Sequence, residues 1–240
     1  MEIKKHLSRA KELALDLLFP ARCVNCGAFG RWWCESCMES AETVKRDLCP
    51  GCCSKTADHA CPKTLKNLDS VTVVGYYHDP KLRAVIHALK YKGATCLEDD
   101  IGNFCSRWKQ RRLEPWPWAG AGEIAIQHLS GSPRRIRERG FDQALVLSKI
   151  FRQTVVPWAN EVDILDRRDG LLSQAALDPG ELRKANVTGC FSAKIGVSIP
   201  EIVILVDDVI TTGSTMDEAA RILRQAGAKN VYGLALAIGA

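Results

Sequence analysis

Residues 202–206, IVILV, form an uninterrupted apolar run that stops at two adjacent carboxylates, Asp207 and Asp208. A small polar turn follows at Thr211, Thr212, Gly213, Ser214 and Thr215. A short apolar run without polar alternation belongs in a strand buried on both faces, the usual place of a strand in a parallel sheet. Parallel neighbours require crossover connections, so such a sheet carries helices on its faces. Ligands of these sheets bind outside the carboxyl ends of the strands. The run therefore predicts an α/β fold and delivers both aspartates to its functional rim.

The turn has its own chemistry. Thr211 to Thr215 offer consecutive backbone N–H groups and hydroxyls at the start of a helix, where orphan amides and the helix dipole favour an anion such as phosphate. Gly213, lacking a Cβ, lets the backbone approach a ligand closely. Carboxylates beside a phosphate pocket must face something other than phosphate. Ribose hydroxyls suit them, because an ionised carboxylate only accepts hydrogen bonds. Helix capping alone needs one aspartate and one threonine, fewer than are present. A P-loop is excluded, since no Gly-Lys-Ser/Thr follows a four-residue gap.

The rest of the chain is consistent with this frame. Residues 71–77 read as a strand, and Pro80 opens a helix that runs through Leu89 and closes near Gly93. Residues 113–122 are punctuated by Pro115, Pro117, Gly120 and Gly122 and read as a surface loop. A strand over 123–127, a polar turn over 128–133, a helix over 141–156, a helix over 217–226 and a strand over 231–238 follow. At 240 residues there is room for one α/β domain and a smaller appendage, divided as 1–68 and 69–240. No apolar run reaches the ~18 residues that span a bilayer. Lys5, Arg9, Lys11, Glu12 and Asp16 interrupt residues 3–18, which read as an amphipathic helix rather than a secretory signal. The expectation is a cytoplasmic protein without membrane insertion. The net charge of +5 permits contact with phosphates or nucleic acid without demanding it.

Eight of the eleven cysteines fall between Cys23 and Cys61. Such clustering in a cytosolic chain points to metal rather than disulfides. The knuckles are Cys23-x2-Cys26, Cys34-x2-Cys37 and Cys49-x2-Cys52, with Cys53 and Cys61 beyond. Each C-x2-C turn carries two thiolates able to reach a tetrahedral Zn²⁺ at about 2.3 Å. The preferred arrangement is tandem: Cys23, Cys26, Cys34 and Cys37 on one zinc, with Cys49, Cys52 and Cys61 on a second completed by His59 or Cys53. An interleaved arrangement would pair the first knuckle with the third. Four thiolates close the coordination sphere, so the expected role is structural. Cys96, Cys105 and Cys190 read as ordinary core or surface residues.

Together these segments resemble the ComF family of competence-associated proteins, whose catalytic-type domain is a type I phosphoribosyltransferase. The resemblance rests on VDDVITTGST, the N-terminal cysteine module and the segment Leu89-Lys90-Tyr91-Lys92-Gly93. It also rests on Arg135-x-Arg137-x-Arg139-Gly140-Phe141-Asp142-Gln143, and on Gln174 with Arg183-x-x-Asn186. It implies a type I phosphoribosyltransferase-like parallel sheet behind a small N-terminal zinc-ribbon module. It further implies binding of phosphoribosyl pyrophosphate (PRPP) with Mg²⁺. Asp207 and Asp208 would take the ribose 2′- and 3′-hydroxyls, and the 211–215 turn the 5-phosphate. Arg137 and Arg139 would lie near the pyrophosphate, and Arg167, Arg168 and Gln174 in a closing flap.

The chain departs from the family pattern at Gln127-His128, where a Pro-rich pyrophosphate loop is usual, and at Leu171, where a threonine is usual. The resemblance implies phosphoribosyl transfer to an unknown acceptor and a part in DNA uptake alongside its machinery proteins. The alternative is a PRPP-responsive module that contacts single-stranded DNA, with Trp32, Trp33, Trp116 and Trp118 available for stacking, or that docks a partner protein.

Overall fold

In the computed structural model, the described residues are 20–47, 49, 65–91, 96–119, 122–167 and 189–239. The expected helix over 3–18, together with Cys52, Cys53, His59 and Cys61, lies outside them, as do Arg168, Leu171, Gln174, Arg183 and Asn186.

Among the described residues of the cysteine module is one short helix, α1 (Glu35–Glu39). Strand β1 (Ser70–Tyr76) and helix α2 (Pro80–Tyr91) follow, each close to its expected bounds. Helix α3 (Glu98–Arg111) had no counterpart in the sequence reading. Its apolar residues nevertheless recur at helical spacing as Ile101, Phe104, Cys105 and Trp108, all buried. Acidic Glu98, Asp99 and Asp100 open it and Lys109 and Arg111 close it, complementing the helix dipole.

Strand β2 (Ile124–His128) leads into α4 (Pro133–Arg139) and α5 (Gln143–Thr154). The short strands β3 (Asn160–Val162), β4 (Leu165–Arg167) and β5 (Phe191–Ala193) come next. Strand β6 (Ile202–Ile210), helix α6 (Ser214–Ala226) and strand β7 (Asn230–Ile238) complete the domain.

Five parallel strands form one sheet in the order β1-β7-β6-β2-β3. Strand β6 is central, and its alternation explains the continuous apolar run. Ile202, Ile204 and Val206 join Trp33, Phe104, Leu147 and Phe151 on one face. Val203 and Leu205 join Met216, Ala219 and Leu223 of α6 on the other. Both faces are covered by helices, so neither set of side chains needs to be polar. Strands β4 and β5 form a separate antiparallel ribbon whose ends flank residues 168–188.

The cysteine module packs into the first of these cores. Trp33 is buried, its ring lies 4.6 Å from Phe104, and its backbone N–H donates to Asp100 Oδ2 at 2.8 Å. Arg107 of α3 bridges Glu35 and Glu39 of α1. A second tie is ionic. Arg112 holds Asp47 through two hydrogen bonds of 3.0 and 2.7 Å, and Thr72 of β1 donates to the same carboxylate at 2.8 Å. With the two side chains only 2% and 9% exposed, this pair is locked between the end of the cysteine module and the sheet. Among the described residues, no helix is long and apolar enough to cross a membrane.

Candidate functional site

Strand β6 runs past Val206 to Ile210, because β7 continues beside it with Asp207 opposite Ala235 and Ile210 opposite Ile238. The two aspartates therefore lie within the strand rather than beyond its end. Asp207 Oδ1 accepts the Asp208 N–H, and Asp208 Oδ1 accepts the Val209 N–H, each at 2.8 Å. These bonds fix both carboxylates on the rim. Asp208 Oδ2 pairs with Lys90 Nζ at 2.8 Å, with side chains 17% and 20% exposed. Burial, reinforced by the Asp208 carboxylate, pushes the Asp207 carboxyl well above the usual carboxylate range, against an opposing pull from Arg167. Two adjacent acids are thus held apart electrostatically, one in an ion pair and one inclined to keep its proton.

Asp207, Asp208 and Thr215 open onto a cleft of about 200 Å³. Lys90, Arg135, Arg139 and Arg167 line the same cleft. Four cations against three acids, Asp142, Asp207 and Asp208, suit an anionic ligand that also carries hydroxyls. Arg167 is steadied by donation to the Ser130 carbonyl at 2.8 Å and by the Phe191 ring 5.3 Å away.

The arginine block shows what sequence reading missed. It forms helix α4, with Ser132 accepting the Arg135 N–H at 3.4 Å, Pro133 in the first turn, and Gly140 closing the helix at φ 80°. In a helix, residues four apart share a face and residues two apart do not. Arg135 and Arg139 accordingly line the cleft, and the expected Arg137 is not among its lining residues. Ser132-Pro133 followed by Gly140 was the available signal for this helix. Lys90 was legible only as part of a family segment, since its partner lies 118 positions away at Asp208.

The 211–215 turn leads into α6 as expected, with Gly213 at φ 73° in the N-cap position. A glycine offers no side-chain cap, and although the Ser214 N–H donates to Thr212 Oγ1 at 3.4 Å, the start of α6 remains suited to an anion. The one acid in that turn, Asp217, faces elsewhere. Its carboxylate accepts from the backbone N–H groups of Asn67 and Leu68, at 2.8 and 3.3 Å, and from Asn67 Nδ2 at 2.9 Å. Thr212 Oγ1 and Ser214 Oγ share a hydrogen bond of 2.8 Å. Two structural causes for glycine at 213 add to the close approach expected from sequence: the left-handed backbone and the packing of Leu65. A Cβ there would lie 2.5 Å from Leu65 Cδ1, so its absence makes room for the protein's own side chain.

Gln127 has a structural task. Fully buried in β2, it accepts the Ile164 N–H through Oε1 at 2.6 Å and so ties the approach to β4 onto the sheet. Of the four tryptophans considered for stacking, Trp32 and Trp116 are half-buried. Trp33 and Trp118 are buried, and Trp116 stacks on Trp118 at 5.3 Å with the Arg112 guanidinium 4.5 Å from its ring centre.

The sulfur atoms of Cys23, Cys26, Cys34 and Cys37 all lie within 4.8 Å of one another, which is the tandem arrangement. A tetrahedral zinc with bonds of about 2.3 Å requires S···S edges of about 3.8 Å, and the set fits an ion of that kind. Burial works to raise the Cys23 thiol, but backbone N–H groups of Cys34, Cys26 and Asn25 bring it down to about 6. Burial and the neighbouring sulfurs push Cys37 up to about 12. Cys49 lies outside this cluster. Cys105 and Cys190 are buried and Cys96 is exposed.

Residues 173–238 match the family model described as a phosphoribosyl transferase domain. The DNA utilization protein YhgH of Escherichia coli is 31% identical over 90% of this chain and 96% of its own length. Competence protein F of Haemophilus influenzae is 28% identical over 87% of this chain and 99% of its own. Competence protein ComFC of Streptococcus pneumoniae is 25% identical over 82% of this chain and 84% of its own. With a phosphoribosyltransferase-type domain behind a four-cysteine module, and with full-length relatives of this kind, the chain belongs to the ComF family.

Proposed function

We propose that the chain binds PRPP in the cleft at the end of β6 and transfers its phosphoribosyl group to an acceptor. The observation that carries this reading is the single cleft shared by Asp207, Asp208 and Thr215 with Lys90, Arg135, Arg139 and Arg167. In it, the carboxylates accept hydrogen bonds from the ribose 2′- and 3′-hydroxyls. The 211–215 turn and the amides of α6 hold the 5-phosphate. The arginines face the pyrophosphate and stabilise the charge it gathers as the C1–oxygen bond breaks. Mg²⁺ bound with PRPP would neutralise pyrophosphate charge, and Asp207 and Asp208 are the nearby hard oxygen donors. By the family resemblance, Arg167, Arg168 and Gln174 would belong to a flap that closes over the ligand. Structural Zn²⁺ would hold the cysteine module. The names of the relatives support a role in DNA uptake or use.

Calorimetric titration of PRPP with Mg²⁺ tests the reading on wild type and on Asp207→Asn/Asp208→Asn. Binding by wild type alone supports it; equal binding by both proteins refutes it.

A second reading, contact with single-stranded DNA, is favoured by one observation. Phe29 on the cysteine module is 62% exposed, with the Arg22 guanidinium 4.0 Å over its ring. Such a platform would bind with an affinity that falls as salt rises. Salt-independent binding, or binding unaffected by Phe29→Ala, would count against it.

A further inference from the structure

Gln143 begins α5 at the edge of the cleft and is one of its lining residues, yet its side chain takes no part in the contacts assigned so far. The residue is only 7% exposed, and its Nε2 has no hydrogen-bond partner among the described residues. A buried amide nitrogen without a partner is costly, and native proteins rarely keep one unless something else satisfies it. The orientation of the amide is decided by its neighbour. Arg139 Nη1 donates to Gln143 Oε1, and a guanidinium has only donors, so the oxygen must face Arg139 and the NH₂ group must face away. The free group is therefore a donor set beside a cation, in a residue of the cleft wall; its nitrogen is itself covered, so a ligand reaches it through a shift of the side chain. The helix start adds to this. Asp142 uses its Oδ1 on the Ala144 N–H at 3.0 Å, which fixes its carboxylate at the start of α5, while the adjacent Arg139 opposes its charge at the cleft.

We propose that Gln143 binds the ligand directly, donating through Nε2 to a pyrophosphate oxygen, with Arg139 orienting the amide and contributing charge to the same group. This deepens, and rests on, the PRPP reading. A phosphoryl oxygen suits the position because it carries no proton and accepts from both Nε2 and a guanidinium at once. The assignment places part of pyrophosphate recognition on the first residue of α5, beyond the loop that follows β2. It also gives a chemical reason for the Arg-Gly-Phe-Asp-Gln block. Gly140 ends α4, Asp142 caps α5, and Arg139 and Gln143 face each other across that turn.

The test is calorimetric titration of inorganic pyrophosphate, of ribose 5-phosphate and of PRPP against wild type, Gln143→Met and Gln143→Glu, with thermal melts of each protein. The methionine removes the donor at similar volume, and the glutamate replaces it with a charge repelling the ligand. Expected are pyrophosphate and PRPP affinities about tenfold weaker in Gln143→Met and weaker still in Gln143→Glu, the size of one lost hydrogen bond to a charged group. Ribose 5-phosphate affinity stays unchanged. Unaltered pyrophosphate affinity in a folded Gln143→Met overturns the inference, as does an equal loss for all three ligands. If Gln143→Met does not fold, Gln143→Asn, which withdraws the same amide by one methylene, is read by the same criteria. Wild type that binds neither PRPP nor ribose 5-phosphate refutes the phosphoribosyl reading itself, which separates the two failures.

Discussion

Asp207→Asn and Asp208→Asn are near-identical substitutions on adjacent residues, and the site geometry gives them opposite effects on stability. An asparagine at either position keeps an Oδ1 able to accept the following N–H, so the bonds at 2.8 Å survive in both variants. Asp208→Asn also removes the ion pair with Lys90, a 2.8 Å contact between side chains 17% and 20% exposed. The pair lacks hydrogen-bond alignment, since Asp208 Oδ2 has no hydrogen-bond partner among the described residues, and an ion pair of this kind is worth about 1 kcal/mol. Relief of repulsion with Asp207 offsets part of that, leaving a net loss of about 0.5–1 kcal/mol. For a chain of this size, that lowers Tm by about 1–4 °C.

Asp207→Asn leaves the Lys90 pair intact and removes a carboxylate that burial and Asp208 both disfavour in its charged form. The expected change is a gain of about 0.5–2 kcal/mol, within the range of charge optimisation at functional sites. The sign with pH follows from the raised folded value. Between the ordinary carboxylate range and that value, the native state holds more protons than the unfolded state, so wild-type stability falls as pH rises. The advantage of Asp207→Asn is therefore greatest at neutral pH and shrinks on acidification. Thermal and urea denaturation from pH 5 to 8 measure it. An Asp207→Asn protein as destabilised as Asp208→Asn, or an advantage that does not change with pH, would refute the electrostatic account.

Four further outcomes are expected. Gly213→Ala costs about 1–2 kcal/mol for a left-handed backbone at φ 73°, plus a clash with Leu65 that Leu65→Ala relieves; additive losses in a double-mutant cycle by urea denaturation would argue against that contact. Arg112→Met costs about 3–5 kcal/mol by taking the opposite charge from the buried Asp47, which keeps the Thr72 hydroxyl, and adding Asp47→Leu recovers most of it, as measured by Tm. Cys26→Ser lowers zinc content by about one ion per chain in elemental analysis, whereas Cys96→Ser leaves it unchanged. Arg139→Ala weakens pyrophosphate binding by about tenfold or more, and Arg137→Ala leaves it near wild type in the same titration.

Local pattern made much of this molecule legible. The run at 202–206 required burial on two faces, and the alternation of its residues between two cores shows why no polar residue interrupts it. The C-x2-C spacing placed pairs of thiolates on single turns, and the first two knuckles form one cluster. Helix α3 carries a readable apolar spacing at 101, 104, 105 and 108, and α4 carries readable start and stop residues.

What no local pattern contains is which distant groups meet. Sheet order decides that: β7 pairs with both β1 and β6, which brings the end of α2, with Lys90, to the rim that carries Asp208. The partner of Gly213, the ion pair of Arg112 with Asp47, and the facing of Arg139 and Gln143 arise in the same way. Sequence determines which chemistry is present and on what element, because backbone periodicity and turn sterics act over a few residues. Charge pairing and burial are properties of neighbours in space, and only the tertiary structure decides them.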